Sequence, residues 1–458
     1  MNPNTVFPRP QHAIFELSYA HLDERELRLG YALRGGPDAD IEFKEVLRLP
    51  PELPAPDIKD PVVLALIDGC HRAFGTSYFK AAIPPKIVAL PVSDADADFW
   101  DELYSLGMGE FYCRNGLSPR DRAHFPRGAA SVQAAGRAMD DDASLVLIGG
   151  GKDSALVADI VRHSGVPAAA LSLGNAAWIQ RSAQASQLNL HSIQRSLDKR
   201  LLELNARGAW NGHIPISTCI AFISLLAAYA GGFAHILVGN ERGAEEANDV
   251  FDGVAINHQW SKTLHFEQAF RRWCARHFAQ GPSYFSLLRP MSEIHIAQLF
   301  SQLPEQLPNF TSCNVNFRQA PGAPGHRWCA RCPKCVFVYL LLAPHLSEEQ
   351  TDAVFGSNIL ADPANLPHLK ALLGVLDVKP WECVGTLHEC RLSFTALARQ
   401  QRLNSALLAL AEQHPEIIYG DEVETGFEAA WQAELQLSSQ HCLSPAWKER
   451  LDAYISAH

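Results

Sequence analysis

Seven consecutive residues, Ile148-Gly149-Gly150-Gly151-Lys152-Asp153-Ser154, combine three glycines with a lysine, a carboxylate and a hydroxyl. Glycines let backbone N–H groups approach an anion closely, and a helix that opens after them turns further N–H groups toward the same spot. Ser154 adds a hydroxyl donor, Lys152 adds charge, and Asp153 supplies an oxygen ligand for a magnesium ion bridging phosphates. The spacing is neither the G-x-x-x-x-G-K-[ST] of a Walker loop nor the G-x-G-x-x-G of a dinucleotide fold. A strand-to-helix turn without a ligand is the plainer reading of the same residues.

A second polar group follows at Gly239-Asn240-Glu241-Arg242-Gly243-Ala244-Glu245-Glu246-Ala247-Asn248. Acids and amides around one arginine suit substrate or metal contacts, with Asn240, Glu241, Arg242, Glu245 and Asn248 as candidates; an ordinary polar loop has the same look. Next comes Asn257-His258-Gln259-Trp260-Ser261-Lys262. His258 and Lys262 lie four apart, which predicts one shared helix face, and either side chain can move a proton. A structural histidine fits this position as well.

The third group is Trp328-Cys329-Ala330-Arg331-Cys332-Pro333-Lys334-Cys335, a C-x-x-C-x-x-C run. With Cys313 as fourth ligand it makes a tetrahedral structural zinc site. Reduced thiols or a redox pair are the alternatives.

These groups need elements to hold them. Ser144–Ile148 is a continuous apolar run, as a strand buried on both faces requires, and Ala155–His163 has helical spacing. Ala168–Leu173, His191–Arg195 and Ile236–Gly239 read as further strands with helical patterns between them. Such alternation predicts an α/β fold with a doubly wound parallel sheet, and a ligand site at the C-terminal strand ends. Residues 1–125 open with alternating segments, Ala13–Tyr19 and Ile41–Leu49, then a helix candidate at Val62–Ala73, and read as an N-terminal α+β domain. Residues 126–345 hold the glycine turn and the cysteines; residues 346–458 read as a helical region, with apolar spacing at Leu366–Leu376 and Leu403–Glu412. The loop Gln319–Arg327 is expected to be mobile.

The whole chain sets bounds on this reading. Its 458 residues exceed one small domain, and 47% hydrophobic with 19% charged residues is an ordinary globular balance. A net charge of −11 argues against non-specific binding to nucleic acid or anionic lipid. Met1–Gln11 lacks an apolar core, so no secretory leader is read there. Ile214–Gly239 is broken by Pro215, Gly231, Gly232 and His235 into a helix and a strand, so no membrane insertion is expected. Eleven cysteines without a leader imply reduced thiols and a cytoplasmic location.

The glycine turn resembles the S-G-G-x-D-S turn of the ATP pyrophosphatases, the PP-loop family, with Gly149 where that family usually has serine. More of the chain carries a narrower resemblance. Ser77–Pro84 (SYFKAAIP), Gly107–Leu117 (GMGEFYCRNGL), Ile148–Ser154, Gly239–Asn248, Asn257–Glu267 (NHQWSKTLHFE) and Trp328–Val336 (WCARCPKCV) occur in this order. Together they resemble the bacterial UDP-N-acetylmuramoyl-L-alanyl-L-glutamate epimerase family. The resemblance implies inversion of the terminal L-glutamate of UDP-MurNAc-L-Ala-L-Glu, consuming ATP with magnesium and releasing AMP and pyrophosphate, for peptidoglycan synthesis. It implies ATP binding at Gly149, Gly150, Gly151, Lys152, Asp153 and Ser154, with magnesium at Asp153. Proton transfer and glutamate contacts fall to Glu241, Arg242, His258 and Lys262. Tyr78, Lys80, Asn240, Glu245, Asn248 and Asn257 are the expected substrate contacts. The alternatives are a PP-loop enzyme modifying tRNA, an ATP-dependent amide-forming ligase, and a non-catalytic nucleotide sensor. The acidic balance and the lack of a basic tract weigh against the first.

Overall fold

The computed structural model describes residues 11–37, 39–120, 123–130, 132–317, 327–422 and 425–458. Residues 1–10, where a leader was sought, and residues 319–326 of the loop expected to be mobile lie outside the described residues. β1 (Ile14–Asp23), β2 (Glu26–Arg34) and β3 (Ile41–Arg48) form an antiparallel meander, with the short β4 (Lys86–Val88) parallel to β1 at its edge. β5 (Ala134–Gly136) precedes four core strands, β6 (Asp140–Leu147), β7 (Ala168–Leu173), β8 (Leu190–Ser196) and β9 (Phe233–Val238). β10 (Asp249–Phe251) and β11 (Val254–Ile256) make a small ribbon, β12 (Phe278–Gln280) pairs with β5, and β13 (Ser283–Ser286) returns to the core.

One nine-stranded sheet runs in the order β13-β9-β6-β7-β8-β3-β2-β1-β4. From β13 to β8 every pairing is parallel. The meander continues the same sheet, because β3 pairs antiparallel with β8, Val46 opposite Ser196. The molecule is therefore a mixed α/β protein.

Successive side chains on a strand point to opposite faces, and here both faces are covered. Leu145, Leu171, Ile236 and Tyr284 enter one core with the helices Pro61–Phe79, Ile216–Gly231 and Leu264–His277. Their neighbours Val146, Ala170, Leu237 and Phe285 enter the other, with the helices Lys152–His163, Glu293–Ser301 and Pro333–Leu342. This is why Leu145-Val146-Leu147 reads as unbroken apolar sequence: a parallel strand under two helical layers has no wet side.

Beyond Leu346 the described residues form helices and short 3-10 turns, without a strand. The last helix, Pro445–Ala457, packs on the second face, where the Trp447 ring meets Phe285 and His235. The apolar segment after Ile214 is a 16-residue helix ended by Gly232 at φ 79°, then β9. Among the described residues no helix is long and apolar enough to cross a membrane.

Candidate active site

From β6 the chain winds one way to β7 and β8, then back past β6 to β9 and β13. The switch point therefore lies between β6 and β9, where the strand ends of an α/β sheet leave a crevice. A cavity of about 610 Å³ opens there, lined by Leu147–Gly149, Leu171–Leu173 and Val238–Glu241. Ile179, Ile216 and Ile220 supply apolar walls; Asp153, Glu241, Glu293, His213, His258, Lys262, Lys334 and Cys383 supply titratable ones.

The glycine turn forms the floor. Gly150 has φ +85°, and a Cβ there would lie 3.3 Å from the Trp178 carbonyl, so both backbone and space call for glycine. Its carbonyl accepts from the Thr311 N–H at 2.9 Å. Gly151 caps the helix Lys152–His163 without a side-chain cap, leaving the first N–H groups of that helix open. Ser154 Oγ donates to the Gly151 carbonyl at 3.1 Å. Gly149, Gly151, Asp153 and Ser154 line the cavity; Gly150 and Lys152 stand behind it. The Lys152 ammonium is fully buried and ion-paired with both Asp153 and Glu293.

Three carboxylates share this space, Glu241 and Glu293 buried and Asp153 partly exposed. Burial opposes the Asp153 charge, but Lys152, Lys334 and Lys262 outweigh it and hold the carboxyl below its usual range. Burial raises Glu241, and the Asp153 charge raises it further. Burial pushes Glu293 up to about 7, with Lys152 opposing and Asp153 and Glu241 adding. Carboxylates facing one cavity suit a hard divalent cation, which relieves their mutual repulsion.

Opposite charges gather around a thiol. Lys262 Nζ donates to Cys383 Sγ at 3.2 Å. Burial would raise that thiol, yet Lys262, His258 and Lys334 bring it down to about 5. Burial would lower His258, but its hydrogen bonds to Cys383 and Glu110 raise it to about 9. His258 Nδ1 pairs with Glu110, whose carboxylate also lies 3.4 Å from His213 Nδ1.

His258 and Lys262 both reach the cavity, but not from a shared helix face. They lie in a turn with a 3-10 helix at Trp260–Lys262. The α-helix starts at Leu264, where the Thr263 side chain accepts from the Phe266 N–H and caps it. The residues after Asn240 form a 3-10 turn and then the β10–β11 ribbon.

The remaining expected site residues are spread around this centre. Asn240 lines the cavity, whereas Arg242 pairs outward with Glu434 at 2.5 Å. Glu245, 48% exposed at its side chain, accepts from the Leu264 N–H. Asn248 accepts from the His258 N–H at 2.8 Å and donates to the Pro380 carbonyl at 2.9 Å, which ties the histidine turn to the segment carrying Cys383. Asn257 donates to the Ala244 carbonyl at 2.8 Å. Tyr78 is wholly buried against Tyr31 in the meander core. Lys80 donates to Asn211 Oδ1 at 2.6 Å and to the Gly212 carbonyl, beside the cavity-lining His213. Glu293, Lys334, Glu110 and Cys383 carry no local spacing signal and were not expected.

The four cysteines do come together. The ligand atoms of Cys313, Cys329, Cys332 and Cys335 all lie within 4.8 Å of one another. Cys332 and Cys335 Sγ are 3.4 Å apart, and Cys329 and Cys335 Sγ 3.7 Å. Tetrahedral zinc, with bonds of about 2.3 Å, sets sulfurs about 3.8 Å apart, so the donor set fits that metal. The cluster joins two cavity walls, Thr311–Asn314 and Lys334.

A family model described as the MurL N-terminal domain matches residues 7–287, and one described as the MurL C-terminal domain matches residues 309–422. The chain belongs to the MurL family. Relatives named UDP-N-acetyl-alpha-D-muramoyl-L-alanyl-L-glutamate epimerase include a protein of Xanthomonas oryzae pv. oryzae, 41% identical over 330 residues, 72% of this chain and 73% of that protein. A Micromonospora relative of the same name is 36% identical over 422 residues, 90% of this chain and 93% of its own. One from Salinispora tropica is 35% identical over 420 residues, 90% and 91% of the two chains. Both MurL segments feed the cavity: the first brings Asp153, Glu241, His258 and Lys262, the second Lys334 and Cys383.

Proposed function

We propose that this chain is an isomerase that inverts the terminal L-glutamate of UDP-MurNAc-L-Ala-L-Glu to D-glutamate for peptidoglycan synthesis, and that it cleaves ATP to AMP and pyrophosphate to do so. The observation that carries this is a switch-point cavity holding an uncapped glycine-rich helix start, three carboxylates and a cation-flanked thiol, in a chain whose relatives bear the epimerase name.

The chemistry explains why a nucleotide is needed. The terminal glutamate is amide-linked, so it has no free amine for a Schiff base. Its α-carboxylate is already negative, and removing the adjacent hydrogen would build a second negative charge. ATP, when bound, turns that carboxylate into a mixed anhydride and makes the carbon acid far stronger. The chain's part is positioning and charge compensation. Backbone N–H groups at Gly149–Gly151 and the Ser154 hydroxyl hold phosphate oxygens. Lys152 acts from behind, fixing Asp153 and Glu293. Asp153, with Glu241 and Glu293, would hold magnesium. Ile179, Ile216 and Ile220 offer apolar surface to a base. His258 and Lys262 serve the reacting carbon, and Asn240 contacts the substrate. We read β13-β9-β6-β7-β8 and its glycine turn as the PP-loop fold, and the four cysteines as a structural zinc site. All eleven cysteines are unpaired, which fits a reducing, cytoplasmic setting.

The test is incubation with ATP, magnesium and UDP-MurNAc-L-Ala-L-Glu, then chiral analysis of the glutamate and assay of pyrophosphate. D-glutamate formed only with ATP supports the reading. Inversion at the same rate without ATP, or an amide product in its place, overturns it. Asp153→Ala is expected to cut pyrophosphate release by on the order of 10²-fold or more.

A further inference from the structure

We propose that Cys383 is a catalytic residue, whose thiolate removes the α-hydrogen of the terminal L-glutamate, with Lys262 and His258 as its positioning cations. This rests on the epimerase reading above and names the base within it.

The argument starts from placement. Cys383 lines the cavity that also holds the glycine turn, on a segment pinned from three sides. Asn248 donates to the Pro380 carbonyl at 2.9 Å, Lys379 pairs with Glu246 at 2.8 Å, and the Lys334 N–H donates to Glu382 Oε2 at 2.6 Å. The Lys334 ammonium donates to the carbonyl of Cys383 itself. Such fixing is what a group that must meet one face of a carbon requires. A thiol with no role gains nothing from the partners found here: an ammonium 3.2 Å from the sulfur, and an imidazole backed by the buried Glu110 carboxylate. His213, the other ring facing Glu110, is held by burial down to about 3 and so stays neutral.

Four other groups lining the cavity are less suited to be the base. Asp153 and Glu293 are ion-paired with Lys152. Lys262 and His258 are held protonated by their anionic partners and so cannot accept a proton. The thiolate can. The α C–H bond breaks and an S–H bond forms. The electron pair stays on the substrate, delocalised into the activated carboxyl as an enolate, stabilised by the ammonium of Lys262. A proton from water reaching the opposite face completes the inversion, and hydrolysis of the mixed anhydride restores the carboxylate and releases AMP. The thiol then loses its proton to solvent.

Full-length Cys383→Ala and wild-type enzyme are compared in D₂O with ATP, magnesium and UDP-MurNAc-L-Ala-L-Glu. Wild type must release pyrophosphate and invert; if it does neither, the epimerase reading fails and Cys383 has not been addressed by it. Given an active wild type, the variant is expected to release pyrophosphate within about tenfold of normal, while α-deuterium incorporation falls by on the order of 10²–10⁴-fold. Incorporation within threefold of wild type overturns the proposal. So does deuterium appearing in recovered L-substrate without inversion, since the base would then act elsewhere. Loss of both activities together also overturns it, as a structural role. A second measurement needs no variant. Iodoacetamide labelling of wild type, mapped to Cys383 by peptide mass, is expected to stop inversion and spare pyrophosphate release. Labelled enzyme that still inverts, or an acyl group trapped on Cys383 by acid quench, rules the base role out.

Discussion

At the residue scale the decisive feature is the mutual support of Cys383, Lys262 and His258. The thiol stands at about 5 and the imidazole at about 9, against unfolded values near 8.5 and about 6.5. The signs run in opposite senses. The depressed thiol contributes stability above its unfolded value and loses it as pH falls through about 5. The raised histidine contributes stability below its unfolded value and loses it as pH rises through about 9. The charged pair is therefore intact between those limits, and α-deuterium incorporation should plateau there. His258→Gln removes one of the thiolate's cations, so the acid limb should move up by about one unit or more. An acid limb that stays in place in the variant's pH profile would show that the two groups are uncoupled. Gly149 offers a second check. A Cβ there meets nothing within 4 Å, so Gly149→Ser, which restores the hydroxyl common in PP-loop turns, should fold normally. Its KM for ATP should be equal or lower.

At the element scale, the site depends on close packing between strand ends and loops. Gly239, just past β9, would carry a Cβ 3.0 Å from the Asp153 backbone carbonyl carbon. Gly239→Ala must push Asp153 aside, so pyrophosphate release should fall several-fold with little change in the unfolding midpoint; unchanged turnover would mean the helix start adjusts freely. The cysteine cluster grips the loop Thr311–Asn314, whose Thr311 N–H holds the Gly150 carbonyl. On the zinc reading proposed above, Cys335→Ser should reduce bound zinc from about one per chain to near zero and raise the KM for ATP, because one wall of the turn loses its anchor. Metal analysis and ATP kinetics on the same preparation check both parts.

Elements were the most legible part of the sequence. Unbroken apolar runs at Ser144–Ile148 and Ala168–Leu173, each followed by helical spacing, lead directly to β6 and β7 and to the crevice at their ends. The glycine turn was legible because three consecutive glycines have few structural explanations. β13, only four residues long, was not, since SYFS has neither length nor alternation. His258 and Lys262 do line the cavity, but with another geometry than expected: spacing of four suggested a helix, and the Thr263 cap delays it by a few residues. Cys383 was invisible. Its partners Lys262 and Lys334 lie 121 and 49 positions away, and nothing within Trp381-Glu382-Cys383-Val384 signals them.

At the scale of the whole molecule, two cores sandwich one sheet, and the chain's last helix closes the second. Trp447 is 1% exposed, its ring against His235 and Phe285, and the Tyr454 hydroxyl donates to Asp159 on the helix after the glycine turn at 2.6 Å. Trp447→Ala should lower unfolding free energy by about 3–5 kcal/mol, measured by denaturant titration; a loss below about 1 kcal/mol would mean the helix is dispensable. The nine-stranded sheet itself could not be read from sequence. The pairing of β3 with β8 joins residues about 150 positions apart, and the short overlap leaves no mark on either strand's pattern.

The segment around Cys383 reaches the cavity from the second MurL unit, while Asn248 and Glu246, two of the residues clasping it, belong to the first. Hybrids that exchange this C-terminal portion between distant relatives must therefore keep Asn248 and Glu246 matched to the incoming Pro380 and Lys379. A mismatched seam should leave nucleotide turnover running while stereochemical output collapses, which makes such hybrids a means of separating the two halves of the cycle.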